Sequence, residues 1–157
     1  GALGKALEGL AEVADLKEHD GGFLYTCAWV LGHDGKLELS LKCLESALRT
    51  GAVEPAYVRA DPMLLVLRDG RSEEFDRLTR PQWSFRVKSG IWFDDISVTN
   101  QSPFHLTDVK LASTLIGWNP ALEAEAIAPG ETKTWSWVAK PPPGREVSFI
   151  LGCGQNP

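Results

Sequence analysis

Apolar side chains recur at every third or fourth position up to Arg80-Pro81, and at every second position beyond it. A helix presents its buried face at the first spacing and a strand at the second, so this one chain has to build both, in that order. The pattern predicts an α+β protein in two segregated parts. Helical hairpins occupy residues 1–80, and an antiparallel β-sandwich occupies residues 82–157. At 157 residues the chain has room for two small cores. The connection Thr79-Arg80-Pro81-Gln82 leaves little slack and predicts a fixed rather than swinging arrangement.

In the first part, Leu3, Ala6, Leu7, Leu10, Val13 and Ala14 mark one face of a helix running from Ala2 to Leu16. His19-Asp20-Gly21-Gly22 punctuates the chain. A second helix is expected over about Phe23 to Leu31, and a third over about Leu37 to Arg49, closed by Gly51 as a left-handed cap. A step of 34 residues back from Gly35, the turn between these two helices, lands on Gly1. The first helix therefore reads as the second half of a preceding unit, and the chain as entering a repeat part-way. Further on, Glu54-Pro55 restarts the chain into a short helix near Tyr57–Arg59. Asp61-Pro62 and Ser72-Glu73-Glu74 carry the acceptor, proline and acidic signals of helix starts.

Residues 21–54 resemble a tetratricopeptide repeat, the helix-turn-helix unit of solenoid scaffolds. Leu24, Ala28 and Leu31 match the apolar and small positions of its first helix. Gly35 matches the turn glycine, and Leu37, Leu44 and Ala47 match positions of the second helix. Ser40 stands where the family usually has Ala, and Ala52 where it often has Pro. Asp61 to Arg68, with Phe75 and Leu78, looks like a closing segment that caps such an array. The resemblance implies a non-catalytic scaffold, the C-terminal fragment of a larger repeat protein, binding another protein or another domain of its parent chain. In the family the first helices line the groove. Tyr25, Trp29 and His33, spaced i, i+4, i+8, form one stripe there and are the expected partner-binding residues. The alternative for Trp29 is packing against the neighbouring repeat or the closing helices.

Beyond Pro81, Trp83, Phe85 and Val87 alternate with Ser84, Arg86 and Lys88. Six or seven short strands follow at this spacing, with the inward face of one formed by Val109, Leu111, Ser113 and Leu115. Asn100-Gln101-Ser102-Pro103 is a loop by composition, and Pro129-Gly130 a turn. The run Ile96 to Pro103, then Leu106-Thr107-Asp108-Val109, then Pro129-Gly130-Glu131-Thr132, resembles small bacterial immunoglobulin-like domains. That resemblance implies a fold and no activity. Trp83, Trp92, Trp118, Trp135 and Trp137 all lie in this part, and exposed indoles stack on sugars. A carbohydrate-binding module is therefore the competing function, with Trp118, in the loop Gly117-Trp118-Asn119-Pro120, as its sugar-binding residue. Trp135 and Trp137 share a strand face and read as a core pair.

Charge and motif content exclude several classes. Residues 1–81 carry 10 basic and 14 acidic side chains and residues 82–157 carry 6 and 7, so no basic stripe exists to neutralise phosphates. Nucleic acid is not expected as a partner, and neither is an anionic membrane surface. No apolar stretch approaches the roughly 20 residues of a membrane span, and the opening Gly1–Lys5 reads as helix rather than leader. Cys27, Cys43 and Cys153 have no CxxC spacing and read as core thiols, which favours a reducing, cytoplasmic compartment. His19, His33 and His105 lack metal-ligand spacing, so no metal or other cofactor is expected. Asp94 and Asp95 are strand neighbours pointing to opposite faces, so they cannot share a proton. No nucleophile elbow, phosphate loop or dinucleotide fingerprint occurs, and no catalytic residue is expected.

Overall fold

The computed structural model of the chain describes Lys5, Gly9 and residues 20–89, 94–113, 122–137 and 149–154. Lys5 and Gly9 are helical. The chain divides into two compact units at Arg80/Pro81, the first helical and the second made of antiparallel strands in two sheets.

In the helical unit, α1 spans Gly21–His33 and α2 spans Leu37–Thr50. Asp20 caps α1, its carboxylate accepting from the Gly22 and Phe23 N–H groups at 2.9 and 3.1 Å. The two helices pack as a hairpin with Leu24, Ala28 and Leu31 buried on one and Cys43, Leu44, Ala47 and Leu48 on the other. Ser40 is also fully buried, and its hydroxyl donates to the Ala28 carbonyl of α1. A serine at this position thus adds a hydrogen bond across the hairpin that alanine lacks. The helices approach closely at Gly21, where a Cβ would lie 2.0 Å from Thr50 Oγ1 and 2.5 Å from Ala52 Cβ. Gly51, at φ 73°, terminates α2 in the left-handed conformation that its sequence position suggests.

Three short helices follow: α3 (Pro55–Ala60), α4 (Leu65–Gly70) and α5 (Ser72–Thr79), with a 3-10 turn over Pro62–Leu64 between the first two. Asp61 opens that turn by accepting from the Met63 N–H at 2.8 Å. Arg59 donates to the Thr79 carbonyl at 2.8 Å and ties α3 to the end of α5. Val58, Leu64, Leu67 and Phe75 complete a core with the hairpin. No helix among the described residues is long and apolar enough to cross a membrane.

The second unit has strands β1 (Trp83–Ser89), β2 (Asp94–Asn100), β3 (Leu106–Ser113), β4 (Leu122–Ile127), β5 (Thr132–Trp137) and β6 (Phe149–Gly152). One sheet has the order β1-β2-β5 and the other β4-β3-β6, each antiparallel throughout. Ile96 and Val98 from the first sheet, and Leu106, Val109, Leu111 and Ile127 from the second, are buried. The third strand begins at Leu106, and Val109 and Leu111 of the expected inward face are buried. Asp108 takes φ 49°, a left-handed conformation Asp tolerates, which breaks simple alternation and lets both Leu106 and Val109 point inward. Leu115 lies outside the described residues.

Asn100, read by composition as the first residue of a loop, is the last residue of β2 and is fully buried, with the loop following it. Its amide donates to the Phe104 and Ile127 carbonyls at 2.7 and 2.8 Å, and its oxygen accepts from the Ser102 N–H at 2.8 Å. The Asn100 side chain therefore joins the last residue of β4, in one sheet, to the end of β2 in the other. The Pro129-Gly130 turn closes beneath it. Glu131 there accepts from the Ala128 N–H at 2.8 Å and pairs with Lys133 at 3.0 Å, which together hold its carboxyl below the usual range.

Candidate functional site

The three residues of the expected groove stripe sit in three different environments. Tyr25 is 6% exposed and belongs to the buried face of α1 with Leu24 and Ala28, not to a separate row. Its hydroxyl donates to Asp61 Oδ2 at 2.6 Å, so the carboxylate that opens the 3-10 turn also anchors α1. Burial first, and the Asp61 carboxylate second, push the Tyr25 phenol well above its ordinary value. Trp29 is half-buried and stands edge-on to Tyr25, ring centroids 5.1 Å apart at 62°. Its indole N–H is buried. His33, in the last turn of α1, is exposed.

The structure adds Tyr57, which the sequence pattern does not single out. It lies on α3, 60% exposed, with its ring centroid 6.2 Å from that of Tyr25. A single aromatic on a six-residue helix offers no periodicity to read, and only the fold brings it to Tyr25. The resulting cluster has Tyr25 as a fixed centre, with Trp29 on one side and Tyr57 on the other. The Asp61 bond holds the central ring, so Tyr25 itself has little rotamer freedom left to lose on binding.

In the strand unit, Trp118 and Trp92 lie outside the described residues. Trp135 is half-buried, and its indole N–H donates to the Glu123 carbonyl of β4 at 3.3 Å. It faces the same side of its sheet as Ile96, its partner across β2, so the inward direction expected from the strand pattern holds while the ring keeps an open face. Beside it is a cleft of about 680 Å³ lined by residues including Thr107, Asp108, Glu125 and Lys133. Trp137 pairs with Asp94 on the same sheet.

Among the described residues, no three His, Cys, Asp or Glu side chains converge in a way that could hold a metal ion. Cys27, Cys43 and Cys153 are buried. Burial pushes the Cys43 thiol up to about 11, with Cys27 adding to the effect, and raises Cys27 as well. Neither thiol is set up as a nucleophile at neutral pH. Asp95 accepts from the Ser136 hydroxyl at 2.6 Å, while one buried carboxylate oxygen of Asp94 has no partner among the described residues. Compared with known proteins, the chain matches no family model and no curated protein.

Proposed function

We propose that the chain is a protein-interaction module. Its helical unit is the closing part of a tetratricopeptide-like array, and its strand unit is a small immunoglobulin-like sandwich. Support for the first comes from the hairpin of α1 and α2, whose buried Leu24, Ala28, Leu31, Leu44 and Ala47 are the positions such a repeat uses. Support for the second comes from the pair of three-stranded antiparallel sheets around one core. The observation that carries the functional reading is the pinned aromatic cluster. Trp29 and Tyr57 flank the anchored Tyr25, with the exposed His33 one turn beyond Trp29. Aromatics held rigid on helices are the residues that dominate binding energy at protein interfaces.

The partner contacts Trp29, Tyr57 and His33, while Tyr25 holds the cluster in place. Affinity capture from native lysate tests this, with Tyr57→Ala/His33→Ala as the control. A stoichiometric protein retained by the wild type should be lost, or bound at least about tenfold more weakly, by the double variant. Its helical circular dichroism should be unchanged. Equal retention by both would exclude this face.

A carbohydrate-binding role is favoured by one observation, the cleft beside Trp135 with its partly open indole. Its test is retention on immobilised polysaccharides by the wild type and its loss in Trp135→Ala.

A further inference from the structure

We infer that the cleft beside Trp135 selects saccharides carrying free, protonated amines, an inference that rests on the carbohydrate reading of that cleft. Its volume of about 680 Å³ falls within the range of about 300–1,000 Å³ that small-ligand sites occupy. Its walls include one indole, Trp135, and the charged side chains Asp108, Glu123, Glu125 and Lys133. The Trp135 N–H is engaged by the Glu123 carbonyl at 3.3 Å, which leaves the half-buried ring to meet a ligand with its face.

The charge lining this cleft is unbalanced. Lys133 pairs with Glu131 at 3.0 Å, and Glu123 faces Lys110 across β3 and β4. Asp108 and Glu125 have no such compensation. The pairs Thr107↔Ala126 and Val109↔Ala124 bracket them, which sets one carboxylate across the strand pair from the other, both exposed. Neither joins an ion pair among the described residues. Like charges opposite each other on paired strands are destabilising, and a cation held between them offsets the repulsion. A neutral sugar stacked on Trp135 leaves the two carboxylates as they are. An amino sugar stacks in the same way and brings an ammonium group that both carboxylates and the indole face attract. A lysine side chain supplies the ammonium without the broad ring face that covers an indole.

The probes are β-1,4-linked hexamers of glucosamine, N-acetylglucosamine and glucose, which share one backbone and differ only at the 2-position. Affinity is measured by calorimetry on the full chain, with EDTA present, at about pH 6, where carboxylates are ionised and amines protonated. The glucosamine hexamer should bind at least about fivefold tighter than the other two, as two exposed charge pairs allow. Asp108→Asn/Glu125→Gln should erase that preference and leave the neutral hexamers bound as before. Glu125→Gln alone should weaken it, and covers a failure of the double variant to fold. Trp135→Ala should lose all three hexamers. If the wild type binds none of them, the carbohydrate reading itself fails and this inference with it. If it binds all three alike, or the preference survives the double substitution, that reading stands and the amine selectivity is overturned. A lysine–glycine peptide held as tightly as the glucosamine hexamer would also overturn it and assign the cleft to a basic protein segment.

Discussion

At the scale of single residues, the bond between Tyr25 and Asp61 joins stability to presentation. Removing the hydroxyl in Tyr25→Phe keeps the ring contacts with Trp29 and Tyr57 but takes a donor from a carboxylate that is almost fully buried. Losing a hydrogen bond to a buried charged group costs about 1–3 kcal/mol, so urea unfolding should show a drop of that size. His33→Ala, at an exposed position, should stay within about 0.5 kcal/mol of wild type. Equal stability of the two variants would mean that Asp61 is satisfied by water and anchors nothing. Gly21 makes a second residue-scale case. Alanine in place of glycine ordinarily favours a helix by about 1 kcal/mol. Here the added methyl would overlap Thr50 Oγ1 and Ala52 Cβ, both held by α2 and its cap. Overpacking of that kind costs about 1–3 kcal/mol. Gly21→Ala should therefore lower the urea midpoint, and a raised midpoint would show that the end of α2 yields.

At the scale of elements, Asn100 decides how the ends of β2 and β4 are held, and it also shows what a sequence reading reaches. Hydrophobic spacing located α1, α2 and the β strands, because burial of one face is a property of the element itself. Cap chemistry at Asp61-Pro62 and Gly51, and the acidic first turn Glu73-Glu74 after Ser72, marked helix ends for the same local reason. Asn100-Gln101-Ser102-Pro103 has the composition of a solvated loop, and nothing local distinguishes an asparagine that turns in water from one that bridges two sheets. The same limit applies to the site. The spacing of Tyr25, Trp29 and His33 identified a helix stripe, but whether Tyr25 is buried depends on Asp61 and Tyr57, 36 and 32 residues away in sequence. Asn100→Ala would strand two carbonyls and one N–H inside the unit, at about 3 kcal/mol or more. Asn100→Asp should not rescue it, since a carboxylate keeps the acceptor for Ser102 but sets negative charge against the Phe104 and Ile127 carbonyls. Denaturant unfolding followed by tryptophan emission measures both. A wild-type midpoint for the aspartate variant would mean the two carbonyls bond elsewhere.

For the whole molecule, three groups of the helical unit with raised values make stability in alkali depend on that unit. The Cys43 thiol moves from its ordinary 9.0 up to about 11, chiefly through burial. Cys27 is raised by burial, and Tyr25 by burial and then by Asp61. Each is neutral when protonated, so a raised value means the folded state holds its proton more tightly than the unfolded state. Below pH 9 both states keep the Cys43 proton, and its contribution to stability is complete. Between pH 9 and pH 11 the unfolded chain releases it first, so stability falls with rising pH, and above pH 11 the contribution is gone. Glu131 has the opposite sign, supporting the fold above its unfolded value and losing that support as acid protonates it. It is exposed at the surface, so that effect is small. The urea midpoint followed by helical circular dichroism should therefore hold steady below pH 9 and decline from pH 9 to pH 11. Cys43→Ala should flatten the decline without abolishing it, because Cys27 and Tyr25 push the same way. A midpoint constant to pH 11 would require that water reaches the α1–α2 interface in the folded state, and with it that the hairpin core is looser than the close contact at Gly21 implies.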